Sequence, residues 1–110
     1  MKICLTIYSS PWSEFAGGGQ IAVHHLACAL QRMGHEVHAL YSKSPGEKIS
    51  AKTPYTIHWT SHFHCATLNL DIFSYYRAMK RLMKWERFDI LHGNAEEAFF
   101  ASEIARNFKA

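Results

Sequence analysis

Apolar residues in the first half of this chain switch between the spacing of strands and the spacing of a helix. A short continuous apolar run at residues 3–8 predicts a buried parallel strand. Residues 20–33 carry apolar positions at i, i+3, i+4 and i+7, which predicts a helix that ends at Gly34. A second apolar run at 36–41 follows at once, so this half reads as strand, helix, strand.

The second half of the chain continues the alternation. We expect a third strand at 55–59, a helix at 71–85, a fourth strand at 88–92 and a last helix from 94 to 108. Strands that alternate with helices predict an α/β fold, here a Rossmann-like, doubly wound parallel sheet with strand order 3-2-1-4. The fourth strand would be an open edge, so the sheet is expected to be incomplete at its C-terminal edge. Such an edge favours either a longer chain or self-association through that strand.

Composition narrows the class of protein only moderately. The chain has 110 residues, of which 48% are hydrophobic, and this suffices for one domain. Its formal net charge of +3 suits an anionic ligand or a membrane surface. The basic residues of the second predicted helix have no aromatic platform between them, so no nucleic-acid partner is expected. Three cysteines without a CxxC pair favour a reducing compartment, and the N-terminal apolar run is too short for a signal peptide. We therefore expect a cytoplasmic protein.

Three glycines, Gly17, Gly18 and Gly19 (the glycine turn), precede the first predicted helix. Ligands of parallel α/β sheets bind beyond the carboxyl ends of the strands, where the strand order reverses, and this turn is predicted to lie there with residues 93–94. Glycines let backbone N–H groups approach a phosphate, and a helix start adds partial positive charge. The alternative interpretation is a plain loop that closes over a helix start.

A dinucleotide site is disfavoured, although Gly17-x-Gly19-x-x-Ala22 fits the GxGxxA fingerprint. A loop at 9–16 separates the glycine turn from its strand, and the second strand ends without the acidic residue that binds ribose. The GxxxxGK[ST] pattern of a P-loop is also absent.

Four short motifs occur in a familiar order. They are Gly17-Gly18-x-Gln20, Leu26-Ala27-x-x-Leu30, Gly34-His35-Glu36-Val37 and Phe88-Asp89-Ile90-Leu91-His92. As an ordered set they resemble the N-terminal domain of GT-B glycosyltransferases, specifically the retaining group-1 (family 4) enzymes. The resemblance covers nearly the whole chain and is strongest over 2–41 and 88–105.

The resemblance implies an enzyme of two Rossmann-like domains that face a cleft. Residues 1–110 would be the N-terminal, acceptor-side domain, and the C-terminal donor domain with its E-x7-E motif is expected outside this sequence. The whole enzyme would transfer a hexose from a nucleotide sugar to a saccharide, lipid or small-molecule acceptor with retention, while the segment alone is expected to be inactive. The nucleotide sugar is a substrate, and no cofactor is implied. A non-catalytic Rossmann-like binding or interaction module is the alternative.

The same resemblance implies roles for particular residues. The glycine turn would face the donor diphosphate, and residues 9–15 would shape the acceptor side. His92 matches the first histidine of the family's H-x-H pattern and would contact the sugar or acceptor, although a histidine packed under the last helix is the alternative. Asn94 stands where the second histidine usually lies and cannot shuttle a proton. Because Asn94-x-x-Glu97 resembles a capping box, Asn94 is either a helix cap or a cleft residue.

Four basic residues occupy the polar face of the second predicted helix: Arg77, Lys80, Arg81 and Lys84 (the basic face). They form either an ordinary solvated face or a peripheral contact with anionic lipid headgroups at the inner face of the membrane.

The histidines outside the motifs suggest no metal site. His24 and His25 lie off the apolar face of the first helix, and we expect them to be solvated. One cluster combines possible metal ligands: His58, His62, His64 and Cys65. Its spacing matches no standard zinc pattern, so no metal is expected.

Overall fold

The computed structural model describes residues 1–7, 10–12, 17–43, 52–61, 72–94 and 98–108. Within them the chain forms β1 (Lys2–Ile7), α1 (Gly18–Arg32), β2 (Glu36–Lys43), β3 (Thr56–Ser61), α2 (Ile72–Trp85), β4 (Ile90–Asn94) and α3 (Ala98–Phe108). The strands form one parallel sheet in the order β3-β2-β1-β4. The predicted Rossmann-like α/β fold and its strand order are confirmed.

Helix α1 begins at Gly18, earlier than the predicted residue 20. Gly17 is extended, with φ −110° and ψ −170°, and its N–H donates to the Gln20 side-chain oxygen at 2.9 Å. Ile21 N–H donates to the Gly17 carbonyl at 3.3 Å, which closes the first turn. At the other end Gly34 has φ +94°, a left-handed conformation that favours glycine, and the helix stops there as predicted.

Strand β4 lies two residues later in the sequence than the predicted range 88–92. Phe88 is buried in the core, and Lys2 N–H donates to the Asp89 carboxylate at 2.8 Å. Asp89 N–H in turn donates to the Lys2 carbonyl at 2.8 Å. Because Asp89 bonds to both the N–H and the carbonyl of Lys2, the first residue of β1, regular strand pairing starts with Ile3 opposite Ile90.

Both faces of the sheet carry a buried apolar layer, since successive strand residues point to opposite sides. On the face covered by α1 (the α1 side), the core consists of Ile3, Leu5, Ile7, Val23, Ala27, Val37, Ala39, Tyr41 and Tyr55. On the face covered by α2 and α3 (the α2 side), it consists of Cys4, Leu40, Tyr75, Met79, Leu82, Met83, Phe88, Ala101 and Ile104.

Strand β4 is covered unequally on its two faces. Helix α1 packs mainly against β1 and β2, whereas α3 packs against β4 on the α2 side. The register sets Ile90 beside Ile3 and His92 beside Leu5 on the α1 side. Ile90 is 39% exposed, and His92 is exposed as well. Self-association through this strand stays a prediction.

Candidate functional site

The start of α1 is open to solvent. Gly17, Gly18 and Gly19 are all exposed, and no acidic residue lies in the first turn to neutralise the helix dipole. The first N–H groups of a helix have no acceptor within it. Gly17 N–H is taken by the Gln20 side chain at 2.9 Å, so the N–H groups of Gly18 and Gly19 are the ones placed for an anion.

The space in front of α1 differs between two of the glycines. A Cβ added at Gly18 would meet no atom of the described residues within 4 Å, whereas a Cβ at Gly19 would touch the Ile7 Cδ1 atom at 3.6 Å. Within the described part of the chain, the Gly18 position therefore faces open space, and the Gly19 position faces the end of β1.

The structure brings the glycine turn and the end of β4 to the same place. Gly19 lies against Ile7, the last residue of β1, and the register sets Asn94 beside Ile7 on the α1 side. This is the carboxyl end of the sheet, next to the point where the strand order reverses between β1 and β4. The structure thus gathers these predicted site residues, and their role in binding stays a prediction.

Asn94 is a strand residue. It ends β4, while the described part of α3 begins at Ala98, so the predicted helix start at residue 94 is wrong. The Asn94 amide Nδ2 donates to the Thr6 carbonyl at 3.1 Å and lies 3.5 Å from the His92 carbonyl oxygen. This bond links β4 to β1. Glu97, the other half of the predicted capping box, lies outside the described residues, so the capping box stays a prediction.

His92 faces the open side of β4. It is exposed beside Leu5, whereas Leu91 points to the opposite side and packs with the core under α2 and α3. The alternative of a histidine packed under the last helix is therefore wrong. His92 lies two residues before Asn94, which sets it back from the carboxyl end by about 7 Å along the strand.

Two buried hydroxyls, in β1 and shortly after it, were not predicted from the sequence. The Oγ1 atom of Thr6, in β1, and the Oγ atom of Ser10, after the strand, are fully buried and have no hydrogen-bond partner within the described part of the chain. A buried polar group left unpaired costs about 1–3 kcal/mol, so such atoms mark places where a water or ligand group can bind. For Thr6 the available signal was a hydroxyl residue inside an otherwise apolar strand.

An aromatic cluster holds the start of the loop after β1. The Trp12 ring packs edge-on against His24 at 5.4 Å and Tyr41 at 5.9 Å between ring centres, and tilted against Trp59 at 6.4 Å. This cluster fixes the part of the predicted acceptor-side segment 9–15 that the structure describes.

His24 belongs to the same cluster and is not simply solvated, so that expectation is wrong for it. Its Nδ1 lies 2.7 Å from the Tyr55 hydroxyl, which is 2.8 Å from the buried Tyr41 hydroxyl. Burial, followed by the nearby His25, lowers the pKa of His24, and burial raises the pKa of Tyr55 to about 12. His25 itself is exposed, as expected.

The basic face is exposed along its whole length. Arg77, Lys80, Arg81 and Lys84 all reach solvent, and the Lys80 ammonium lies 5.4 Å from the centre of the Tyr76 ring. This exposure suits both a solvated face and a lipid contact. None of the described helices is both long enough and apolar enough to cross a membrane.

Of the histidine and cysteine cluster at 58–65, the structure describes only His58. His62, His64 and Cys65 lie outside the described residues, and His58 Nε2 lies 2.8 Å from His38 Nδ1. In the ranges that the structure describes, no three histidine, cysteine or acidic side chains come together as metal ligands would.

Comparison with known proteins gives the class of the chain and then its family. An open glycine turn at the carboxyl end of a parallel sheet is typical of Rossmann-like proteins that bind phosphorylated ligands. A family model described as Glycosyltransferase Family 4 matches residues 16–109, from just before the glycine turn to just past α3. The chain belongs to Glycosyltransferase Family 4. No curated protein matches it.

Proposed function

We propose that the chain is the N-terminal, acceptor-side region of an enzyme that transfers a hexose from a nucleotide sugar to an acceptor with retention. Family membership supports the glycosyltransferase class, and the open start of α1 beside Asn94 is the observation that carries the site. A C-terminal donor domain would complete this site, so residues 1–110 alone are expected to be inactive. The nucleotide sugar is a substrate, and no cofactor is needed.

Gly18 and Gly19 would donate their backbone N–H groups to the donor diphosphate. The partial positive charge of the α1 start adds about 0.3–1 kcal/mol for an anion at an exposed site. Negative charge grows on the diphosphate as the glycosidic bond breaks, and donors already in place stabilise that charge more than the ground state. Gly17 would act indirectly, because its own N–H is held by Gln20.

His92 would contact the transferring sugar or an acceptor hydroxyl from the open side of β4. Asn94 would hold the ends of β1 and β4 together through the Thr6 carbonyl and thereby fix the floor of the cleft. The acceptor class stays broad: a saccharide, a lipid or a small molecule, and no nucleic acid. We assign no general base.

A titration of the chain with nucleoside diphosphates tests the site. Amide resonances of Gly18 and Gly19 should shift saturably in two-dimensional NMR spectra, with smaller shifts for Asn94. Resonances of the basic face should stay in place, which distinguishes the site from general attraction of anions. If the basic face shifts and the glycine turn does not, the proposed diphosphate site is wrong.

We also propose a peripheral contact with the inner face of a cytoplasmic membrane, made by the basic face. Each basic residue close to an anionic lipid surface contributes about 1 kcal/mol at most. The triple variant with Arg77, Lys80 and Lys84 each changed to Gln should lose most of its binding to vesicles that contain anionic lipid. Equal sedimentation of the triple variant and the unchanged chain with those vesicles would contradict the contact.

A further inference from the structure

A pocket lies between the outer strand β3 and helix α2, on the α2 side of the sheet. Its volume is about 310 Å³, at the lower end of the range for small-ligand pockets. Leu40 and Leu82 contribute an apolar floor, and both are buried. Glu86 lines the pocket and pairs with Lys2 at the start of β1. The pocket therefore reaches toward the amino end of the sheet, opposite the candidate diphosphate site.

The charged groups of this pocket carry both signs. Arg81 lines it with a guanidinium that can only donate hydrogen bonds, while Glu86 lines it with an acceptor. The hydrogen bond from Lys2 lowers the pKa of Glu86, so this carboxyl stays ionised near neutral pH. A small anion would be repelled by Glu86 and a small cation by Arg81. The lining therefore suits a neutral ligand that both donates and accepts hydrogen bonds.

His58 adds an acceptor to the same pocket. Its Nε2 lies 2.8 Å from His38 Nδ1, and the His38 Nε2 lies 2.9 Å from the Glu36 carboxylate. The carboxylate can only accept, so for a neutral pair His38 donates to Glu36 and accepts from His58 Nε2–H. His58 Nδ1 then remains an acceptor without a partner among the described residues, and His58 lines the pocket. A hydroxyl is the natural partner for that nitrogen.

Trp85 supplies an aromatic surface at the pocket. Its side chain is 82% exposed although it is large and apolar. The ring is also stacked over no other aromatic ring of the described chain, so its face is open to a ligand. An indole face packs well against the C–H face of a pyranose ring, whose hydroxyls stay at the edge for polar partners.

We propose that this pocket is a saccharide-binding site for a neutral pyranose unit, separate from the proposed diphosphate site. The ring would lie on Trp85, and its hydroxyls would bond to Arg81, Glu86 and His58 Nδ1. Such a site would retain a saccharide acceptor or product on the outside of the domain. The inference stands independently of the proposed transfer reaction, since it uses none of the residues at the carboxyl end of the sheet.

NMR titration of the chain tests the proposal. The probes are methyl glycosides of glucose, galactose, mannose and N-acetylglucosamine, with maltose and cellobiose as longer ligands. At least one should shift the Trp85 indole N–H signal saturably while leaving Gly18 in place. Trp85→Ala and Arg81→Met should each weaken binding about tenfold or more, and Lys84→Ala, an exposed neighbour that does not line the pocket, should not change it.

The outcomes separate this proposal from the others. Trp85 and Arg81 are both exposed, so the two variants should keep the melting temperature of the unchanged chain. Saturable binding that disappears with Trp85→Ala but survives Lys84→Ala supports the site. The absence of a saturable Trp85 shift with every saccharide overturns it, as does unchanged binding in both pocket variants. A nucleoside diphosphate that shifts Gly18 without shifting Trp85 would leave the proposed function intact in either case.

Discussion

The two exposed glycines at the start of α1 allow a matched test of anion binding. Gly18→Ala places a methyl group where none of the described residues comes within 4 Å, whereas Gly19→Ala places it 3.6 Å from the Ile7 Cδ1 atom, an ordinary contact. Both variants keep every backbone N–H, and both replace glycine by a better helix former. The two substitutions are therefore alike in chemistry and differ in the direction of the added methyl group.

The expected difference follows from the lost hydrogen bond. A phosphate that accepts from Gly18 N–H would collide with the new methyl group and move away. A hydrogen bond to a charged group contributes about 1.5–3 kcal/mol, so Gly18→Ala should weaken nucleoside diphosphate binding about tenfold or more. Gly19→Ala should stay within about twofold, because its methyl group packs on β1 and leaves the approach open.

Calorimetric or NMR titration with a nucleoside diphosphate gives both affinities, and thermal melting controls for folding. Neither variant should melt below the unchanged chain, since alanine suits a helix better than glycine. Equal affinities for Gly18→Ala and the unchanged chain would refute the reasoning. So would an equal loss in both variants, which would point to backbone flexibility and not to the space in front of Gly18.

Three further predictions concern stability and the open face of β4. The hydrogen bond from Lys2 lowers the pKa of Glu86, so this pair stabilises the fold above the carboxyl's usual pKa of 4.5 and stops doing so as the pH falls below it. Lys2→Gln should therefore lower the melting temperature at neutral pH and make the melting temperature fall less steeply in acid. Tyr55→Phe leaves the buried Tyr41 hydroxyl without its partner at 2.8 Å and should lower the free energy of unfolding by about 1–3 kcal/mol, measured in urea. A negligible change would argue against that hydrogen bond. His92→Ala should slow sugar transfer by the full-length enzyme at an unchanged melting temperature, and an unchanged rate would remove His92 from the site.

The sequence predicted the end of a helix correctly where a single residue sets that end. Gly34 stops α1 because the left-handed conformation it adopts is a property of glycine itself. The alternation of strands and helices also predicted the order of the sheet, since right-handed crossovers leave few other arrangements.

Contacts between distant residues account for what the sequence did not reveal. The local pattern at Asn94 predicted a helix start, yet Asn94 ends β4 and its amide donates to the Thr6 carbonyl on the neighbouring strand. His24 lies off the apolar face of α1, yet the hydroxyl of Tyr55 meets it at 2.7 Å. The predicted strand 88–92 shifted because Asp89 bonds to Lys2 at the far end of the chain. Each of these partners is set by the tertiary fold and leaves no mark in local spacing.

The same reason explains the pocket beside α2. One wall of the pocket carries His58 from β3, and the other carries Glu86, which directly follows α2. Nothing in the sequence spacing links these two residues. In the sequence His58 stands near His62 and His64, whereas its partner in the structure is His38 on the adjacent strand.

The most direct test of the central claim is the stereochemistry of the product made by the native full-length protein. That protein should consume a nucleotide hexose and form a glycoside with the same anomeric configuration as the donor, read from proton coupling constants by NMR. A product of inverted configuration would contradict retention. Failure of the folded native protein to consume nucleotide hexoses offered with saccharide, lipid and small-molecule acceptors would contradict the proposed transfer itself.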